Sequence, residues 1–218
     1  MKNSLDLTKY CLFPDLPELQ IPRSNLVKWL HDRFSPDRKV IIVQGPDGAG
    51  KTNLLVQFAK TYPDRCFCFF VKRDYWSSQP AFFLRELCRQ MQKVVRDRED
   101  DIDGSYYELK QLFGKFYHQI ATKARRSGNP FYFVIDGLEW LPGNYEQEGI
   151  ADLLPCDPPD DIYLLTSSAP GQEFRFDHYP WPIEFFSSTE TEAYLRNIGL
   201  DDRERISHIY GVCEGMPG

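Results

Sequence analysis

No CxxC pair and no Cys/His grouping with zinc-ligand spacing occurs in this chain, although it carries six cysteines: Cys11, Cys66, Cys68, Cys88, Cys156 and Cys213. That excludes the common structural zinc sites. Cys66 and Cys68 stand two apart in an apolar run, so they are expected to share one strand face as small core residues. Thiols in such a core point to a reducing compartment. No apolar run approaches the roughly 20 residues that span a bilayer. The start, Met-Lys-Asn, is followed by no apolar signal region. A cytoplasmic location is the expectation. Basic clusters are also missing. The net charge is −6 and Arg125-Arg126 is the nearest approach to a basic run, which argues against direct nucleic-acid binding by this segment. Internal repeats and low-complexity stretches are absent too.

What the chain has is the composition of an ordinary globular domain. Of its 218 residues 42% are hydrophobic and 27% charged, and 16 Phe and 12 Tyr can fill a sizeable core. Short apolar runs alternate with helical patterns. The expected strands are Lys39–Gln44, Cys66–Lys72, Phe131–Ile135, Ile162–Leu165 and, after Trp181-Pro182, Ile183–Phe186. Between them, Ser24 is read as capping a short helix, Ser78 as capping one over Pro80–Val95, and a further helix spans Tyr106–Ala124. Ser187-Ser188-Thr189-Glu190 and Asp201-Asp202-Arg203-Glu204 both read as capping boxes opening short helices. Alternation of this kind predicts an α/β three-layer sandwich with a mainly parallel sheet of about five strands. Residues 1–20 are expected to be a proline-punctuated lead-in, 21–182 the main domain, and 183–218 the last strand and the beginning of a helical domain that continues in a longer protein.

One stretch carries specific chemistry. Gly45-Pro46-Asp47-Gly48-Ala49-Gly50-Lys51-Thr52 fits G-x-x-x-x-G-K-[ST] between an apolar strand and a helical run. Glycines allow a concave loop whose N–H groups face phosphate oxygens, and the following helix N-terminus adds positive potential. Lys51 is placed to reach the β- and γ-phosphates and Thr52 to hold Mg²⁺, and Asn53, next in the first helical turn, is expected to bind nucleotide with the loop residues. Asp47 puts a negative charge in this loop and must point outward.

A second motif supports the first. Phe131–Ile135 delivers Asp136 to the carboxyl end of a strand, where open α/β sheets bind ligands. Asp136 is the candidate Mg²⁺ partner, and Glu139 the candidate general base or water-orienting group. The alternative is a turn at Asp136-Gly137 with Glu139 as an exposed loop acid. Strand 4 ends Thr166-Ser167-Ser168, which either touches the γ-phosphate or ends the strand by local hydrogen bonding. No guanine-reading Asn-Lys-x-Asp motif occurs. Ile21 and Pro22 either flank the base or simply pack.

Taken in order, Gly45–Thr52, Phe131–Glu139, Tyr163–Ser168 and Gly215-Met216-Pro217 resemble the nucleotide-binding module of the STAND class of P-loop NTPases, which includes the NACHT and NB-ARC groups. The likeness covers about residues 21 to 218. It implies ATP or ADP as ligand, with Pro217 near the adenine. It further implies a switch in which nucleotide exchange controls conformation and homo-oligomerisation, with effector and repeat domains elsewhere in the polypeptide. At the end of strand 4 the family usually has an arginine that senses the γ-phosphate; Ser168 stands there. A serine cannot supply a charged bidentate fork, so hydrolysis is expected to be slow. The alternatives are a nucleotide-binding scaffold without hydrolysis and an AAA+-type DNA-processing ATPase. A small-molecule kinase would need an Arg-rich lid, for which Arg175 is the sole candidate after strand 4.

Overall fold

The structure, a computed structural model, describes residues 5–72, 77–98, 100–141, 149–154, 157–172, 174 and 176–217, with Glu139 in its main chain only. Cys156, Arg175 and the Glu139 side chain lie outside the described residues.

Five parallel strands form one sheet in the order β2-β3-β4-β1-β5. They are β1 (Val40–Gln44), β2 (Cys66–Phe70), β3 (Phe131–Asp136), β4 (Ile162–Ser168) and β5 (Tyr179–Pro182). The three central strands are apolar over most of their length and covered on both faces, as parallel strands require. Helices α1 (Ser24–Arg33) and α2 (Lys51–Thr61) cover the face that carries Ile41, Val43, Val134 and Leu165. Helices α3 (Pro80–Arg96) and α4 (Tyr106–Ser127), with the short α5 (Ile150–Leu153), cover the face that carries Ile42, Phe133 and Leu164. This is the α/β sandwich that the pattern predicts. Cys66 and Cys68 share the first of these faces. Among the described residues no helix is long and apolar enough to cross a membrane.

Several boundaries differ from expectation. Ser24 is the first residue of α1 and Arg23 its cap position; Gln79, not Ser78, precedes α3, with Pro80 at its first turn. Ser105 and Glu108 form a full capping box for α4, as Ser187 and Glu190 do for α6 (Ser188–Asn197). Asp202 caps α7 (Arg203–Cys213) alone, accepting from Glu204 and Arg205 N–H. The fifth strand is Tyr179–Pro182, and Ile183–Phe186 is an extended strap after it. Two prolines in a four-residue stretch argue against a strand, but β5 is an edge. Its register with β1 and the bond from Ile183 N–H to Gln44 O turn Pro180 and Pro182 toward the free side, where no N–H is needed. At the opposite edge the buried Gln90 amide takes the place of a missing strand, accepting from Cys68 N–H at 2.7 Å and donating to Cys68 O at 2.8 Å.

Under α1, half-buried His31 stacks on Tyr62 at 4.6 Å, and its Nδ1 lies 2.8 Å from the Tyr132 hydroxyl. Burial pushes the His31 pKa below 6.5, only partly opposed by Asp32. The unfolded chain therefore binds the proton first. Stability is expected to be full above pH about 6.5 and to fall as pH drops from there toward the depressed folded value. Urea midpoints at pH 7.5 and 5.5 check this, and His31→Gln should flatten the difference.

Candidate functional site

All the candidate residues outside the C-terminal helices collect at the carboxyl end of the sheet. The loop leaving β1 turns back through Gly48 and Gly50, with φ of 79° and 86°, a region that glycine adopts without strain. Gly50 is the cap position of α2, so the first N–H groups of an 11-residue helix face the loop's interior. Gly45 has no space for a side chain, since a Cβ there would lie 2.6 Å from Ile183 Cγ2. Pro46, Asp47 and Gly48 are exposed while Ala49 is buried, so Asp47 does point outward. The Lys51 ammonium is buried and donates to Gly45 O at 2.8 Å and Pro46 O at 3.1 Å. It spans the loop it belongs to.

Strand order decides the rest. β4 lies between β1 and β3, so its last residues separate the loop from Asp136. Side chains alternate along β4. Leu165 faces α2, and therefore Ser167 does too, while Thr166 and Ser168 face the α3–α4 layer. Ser167 Oγ donates to Asp136 Oδ1, and Thr52 Oγ1 donates to Oδ2 at 2.6 Å. Burial pushes the Asp136 carboxyl above its usual range; the Ser167 and Thr52 hydroxyls, the Lys51 charge and Gly137 N–H pull against it. Gly137 itself has φ 80°, and a Cβ there would sit 2.7 Å from Val71 O, so the Asp-Gly pair is required by the turn. Glu139 follows in the 3-10 turn Leu138–Trp140, three residues past Asp136.

These donors suit a divalent cation with oxygen ligands. One buried carboxylate beside one hydroxyl is what Mg²⁺ uses when phosphate oxygens and water complete its shell. Among the described residues no group of three or more His, Cys, Asp or Glu is placed to hold a metal by itself. The phosphate loop, the helix N-terminus and the Lys51 ammonium fit a polyphosphate.

Asn53 makes a different contact from the loop residues. Its Oδ1 accepts from Gln57 Nε2 at 2.7 Å; the same amide donates to Ile21 O at 3.0 Å and accepts from Arg23 N–H at 2.7 Å. The network pins the turn at residues 21–23 to α2. Pro217 lies over the loop, its Cγ 3.6 Å from where a Gly50 Cβ would be. Sequence reasoning missed Gln57, Arg23 and Ile183, and weighed Ser167 only as part of a cluster. Gln57 carries one signal, its spacing of four from Asn53 along α2.

Pro217 is held there by Gly215, whose carbonyl accepts from Phe186 N–H at 2.8 Å. A Gly215 Cβ would fall 1.9 Å from Phe186 O, and Gly215 φ is +80°. Gly215→Ala is expected to cost about 1–3 kcal/mol and to lift the end of α7 off the strap. Thermal unfolding and limited proteolysis near residue 215 check both effects.

Fold and loop together define a P-loop NTPase. Residues 22–166 match the AAA ATPase domain family, and the chain belongs to it. A search of curated proteins finds no match. Among solved structures the chain is similar to a Walker-type ATPase of Pyrococcus abyssi, PABY2304, at TM-score 0.60 and 13% identity, covering 95% of this chain and 68% of that one. It is also similar to a signal transduction ATPase with numerous domains (STAND) that has a tetratricopeptide repeat sensor, PH0952 of Pyrococcus horikoshii. There the TM-score is 0.53 and the identity 13%, over 94% of this chain but 30% of that one. At such identities the likeness is one of fold.

Proposed function

We propose that this chain is the ATP/ADP-binding switch module of a larger, cytoplasmic signal-transduction protein of the STAND class. Nucleotide exchange, with slow Mg²⁺-dependent hydrolysis, would control its conformation and assembly. The observation that carries the reading is the seat of Pro217 on Gly50. The segment that follows α7 lies against the phosphate loop through Pro217, so what the loop holds bears on where the C-terminal helices sit. The structural likeness to a STAND protein with a repeat sensor supports the same reading.

The N–H groups of Asp47, Gly48 and Gly50 and the α2 N-terminus bind the phosphates, and Lys51 moves from its loop carbonyls to the β- and γ-phosphate oxygens. When bound, Mg²⁺ would supply neutralisation of phosphate charge, held by Thr52 and Asp136. Ser167 fixes the Asp136 carboxylate so that one oxygen faces Thr52. Glu139 orients or deprotonates the attacking water. Pro217 and the turn at Ile21 border the base.

The test is to follow amide exchange of residues 188–217 with Mg·ADP and with Mg·ATP, and to measure turnover. Protection that differs between the two nucleotides, with turnover reduced in Glu139→Gln, supports the switch. Equal protection together with turnover that is undetectable and unaltered in Glu139→Gln leaves a scaffold.

A further inference from the structure

Among the described residues the buried charged side chains are Arg23, Lys51 and Asp136. Two of them belong to the phosphate site. Arg23 does not, and a buried guanidinium is costly unless its donors are satisfied. Its partners all lie in one short stretch. Nη1 donates to Glu184 O, Nη2 donates to Phe185 O at 3.2 Å, and Nε lies 3.4 Å from Glu190 Oε1. The guanidinium carbon sits 5.3 Å from the centre of the Phe186 ring.

The Arg23 main chain is meanwhile fixed to α2 through Gln57. One residue thus joins the phosphate-loop helix, through its main chain, to the strap, residues 183–186, and to the first turn of α6, through its side chain. The strap leads straight to the site at both ends. Ile183 fills the space beside Gly45, and Phe186 N–H holds Gly215 O, two residues before Pro217 on Gly50. The two strap carbonyls face no strand, and Arg23 supplies their donors.

We propose that Arg23 is the latch that seats the strap, and with it Pro217, over the phosphate loop, so that it sets how long nucleotide stays bound. The proposal rests on the nucleotide-site reading above. The planar fork donates to two carbonyls while its charge lies within ion-pair range of the Glu190 carboxylate, a spread that the single ammonium of lysine does not reproduce. Glu190 is a second handle on the same contact. Glutamine there can keep the capping box with Ser187 while losing the charge.

Two measurements on the whole chain test this. In nucleotide-free protein, Arg23→Met should raise amide exchange at the strap and at residues 215 and 216 while leaving β1 and α2 unchanged. In ADP-loaded protein, it should speed ADP release about tenfold or more. Arg23→Lys should fall between Arg23→Met and the parent. Glu190→Gln should shift both readouts the same way by less, and it answers the question if Arg23→Met does not fold. Unchanged strap exchange overturns the latch, as does faster exchange with an unaltered ADP release rate. If instead Lys51→Ala binds ADP as the parent does, the nucleotide-site reading fails, and with it the claim about release. Strap exchange without nucleotide still judges the mechanical contact.

Discussion

Lys51→Ala is expected to weaken ADP binding by about a hundredfold or more, because it removes a charge-assisted donor worth about 1.5–3 kcal/mol per bond. The ammonium is buried and held 2.8 Å from Gly45 O and 3.1 Å from Pro46 O. It is therefore ordered beside the loop before any phosphate arrives, and its move from those carbonyls to phosphate oxygens loses little side-chain entropy. The variant also strips those two carbonyls of a donor, so the loop should loosen as well as lose charge. Calorimetric titration with ADP measures the affinity, and circular dichroism confirms that the sheet is intact. An unchanged dissociation constant in a folded variant would remove the phosphate-loop assignment and the proposed function with it.

Asp136→Asn is expected to have opposite effects on the free and the loaded protein. In the free protein a carboxylate is buried with its two oxygens on hydroxyl donors, and burial pushes it toward the protonated form. A neutral amide of the same shape avoids that desolvation. Relief of about 1 kcal/mol would raise the melting temperature by about 2–4 °C. In the loaded protein the carboxylate is the charge that faces Mg²⁺, and asparagine cannot replace it. Mg·ATP at a hundred times its dissociation constant should stabilise the parent by about 2.7 kcal/mol, and the Mg²⁺-dependent part of that gain should vanish in Asp136→Asn. Melting curves with and without Mg²⁺ and ATP read all four states. A variant that keeps its Mg²⁺-dependent gain would show that Asp136 is not the metal's partner.

How much of this was legible in the sequence differed from residue to residue. The phosphate loop lies within eight consecutive residues, Gly45 to Thr52, and its shape follows from local φ preferences at Gly48 and Gly50. Asp136 was legible because an apolar run ends on a carboxylate followed by a glycine that the turn requires. The Pro180 and Pro182 strand was not, since proline is excluded from strand interiors and nothing local announces an edge. Ser167 and Ser168 illustrate the same limit. The two are neighbours of one type at the end of one strand, yet Ser167 touches Asp136 while the Ser168 hydroxyl is buried on the other face with no hydrogen-bond partner among the described residues. Pleat parity assigns them to opposite faces, but which face meets the loop depends on where the helices pack.

The sequence by itself determined the layers, the parallel sheet and the phosphate loop, because strand and helix periodicity, their alternation and the loop glycines are each legible in short stretches, although the sheet itself pairs residues as distant as Val40 and Leu164. Tertiary structure alone decided that β4 separates β1 from β3, that Ser167 rather than Ser168 supports Asp136, and that Arg23 reaches across to Glu190. Those contacts join residues some 30 to 170 positions apart, and only the packing of sheet against helices brings them within hydrogen-bond range.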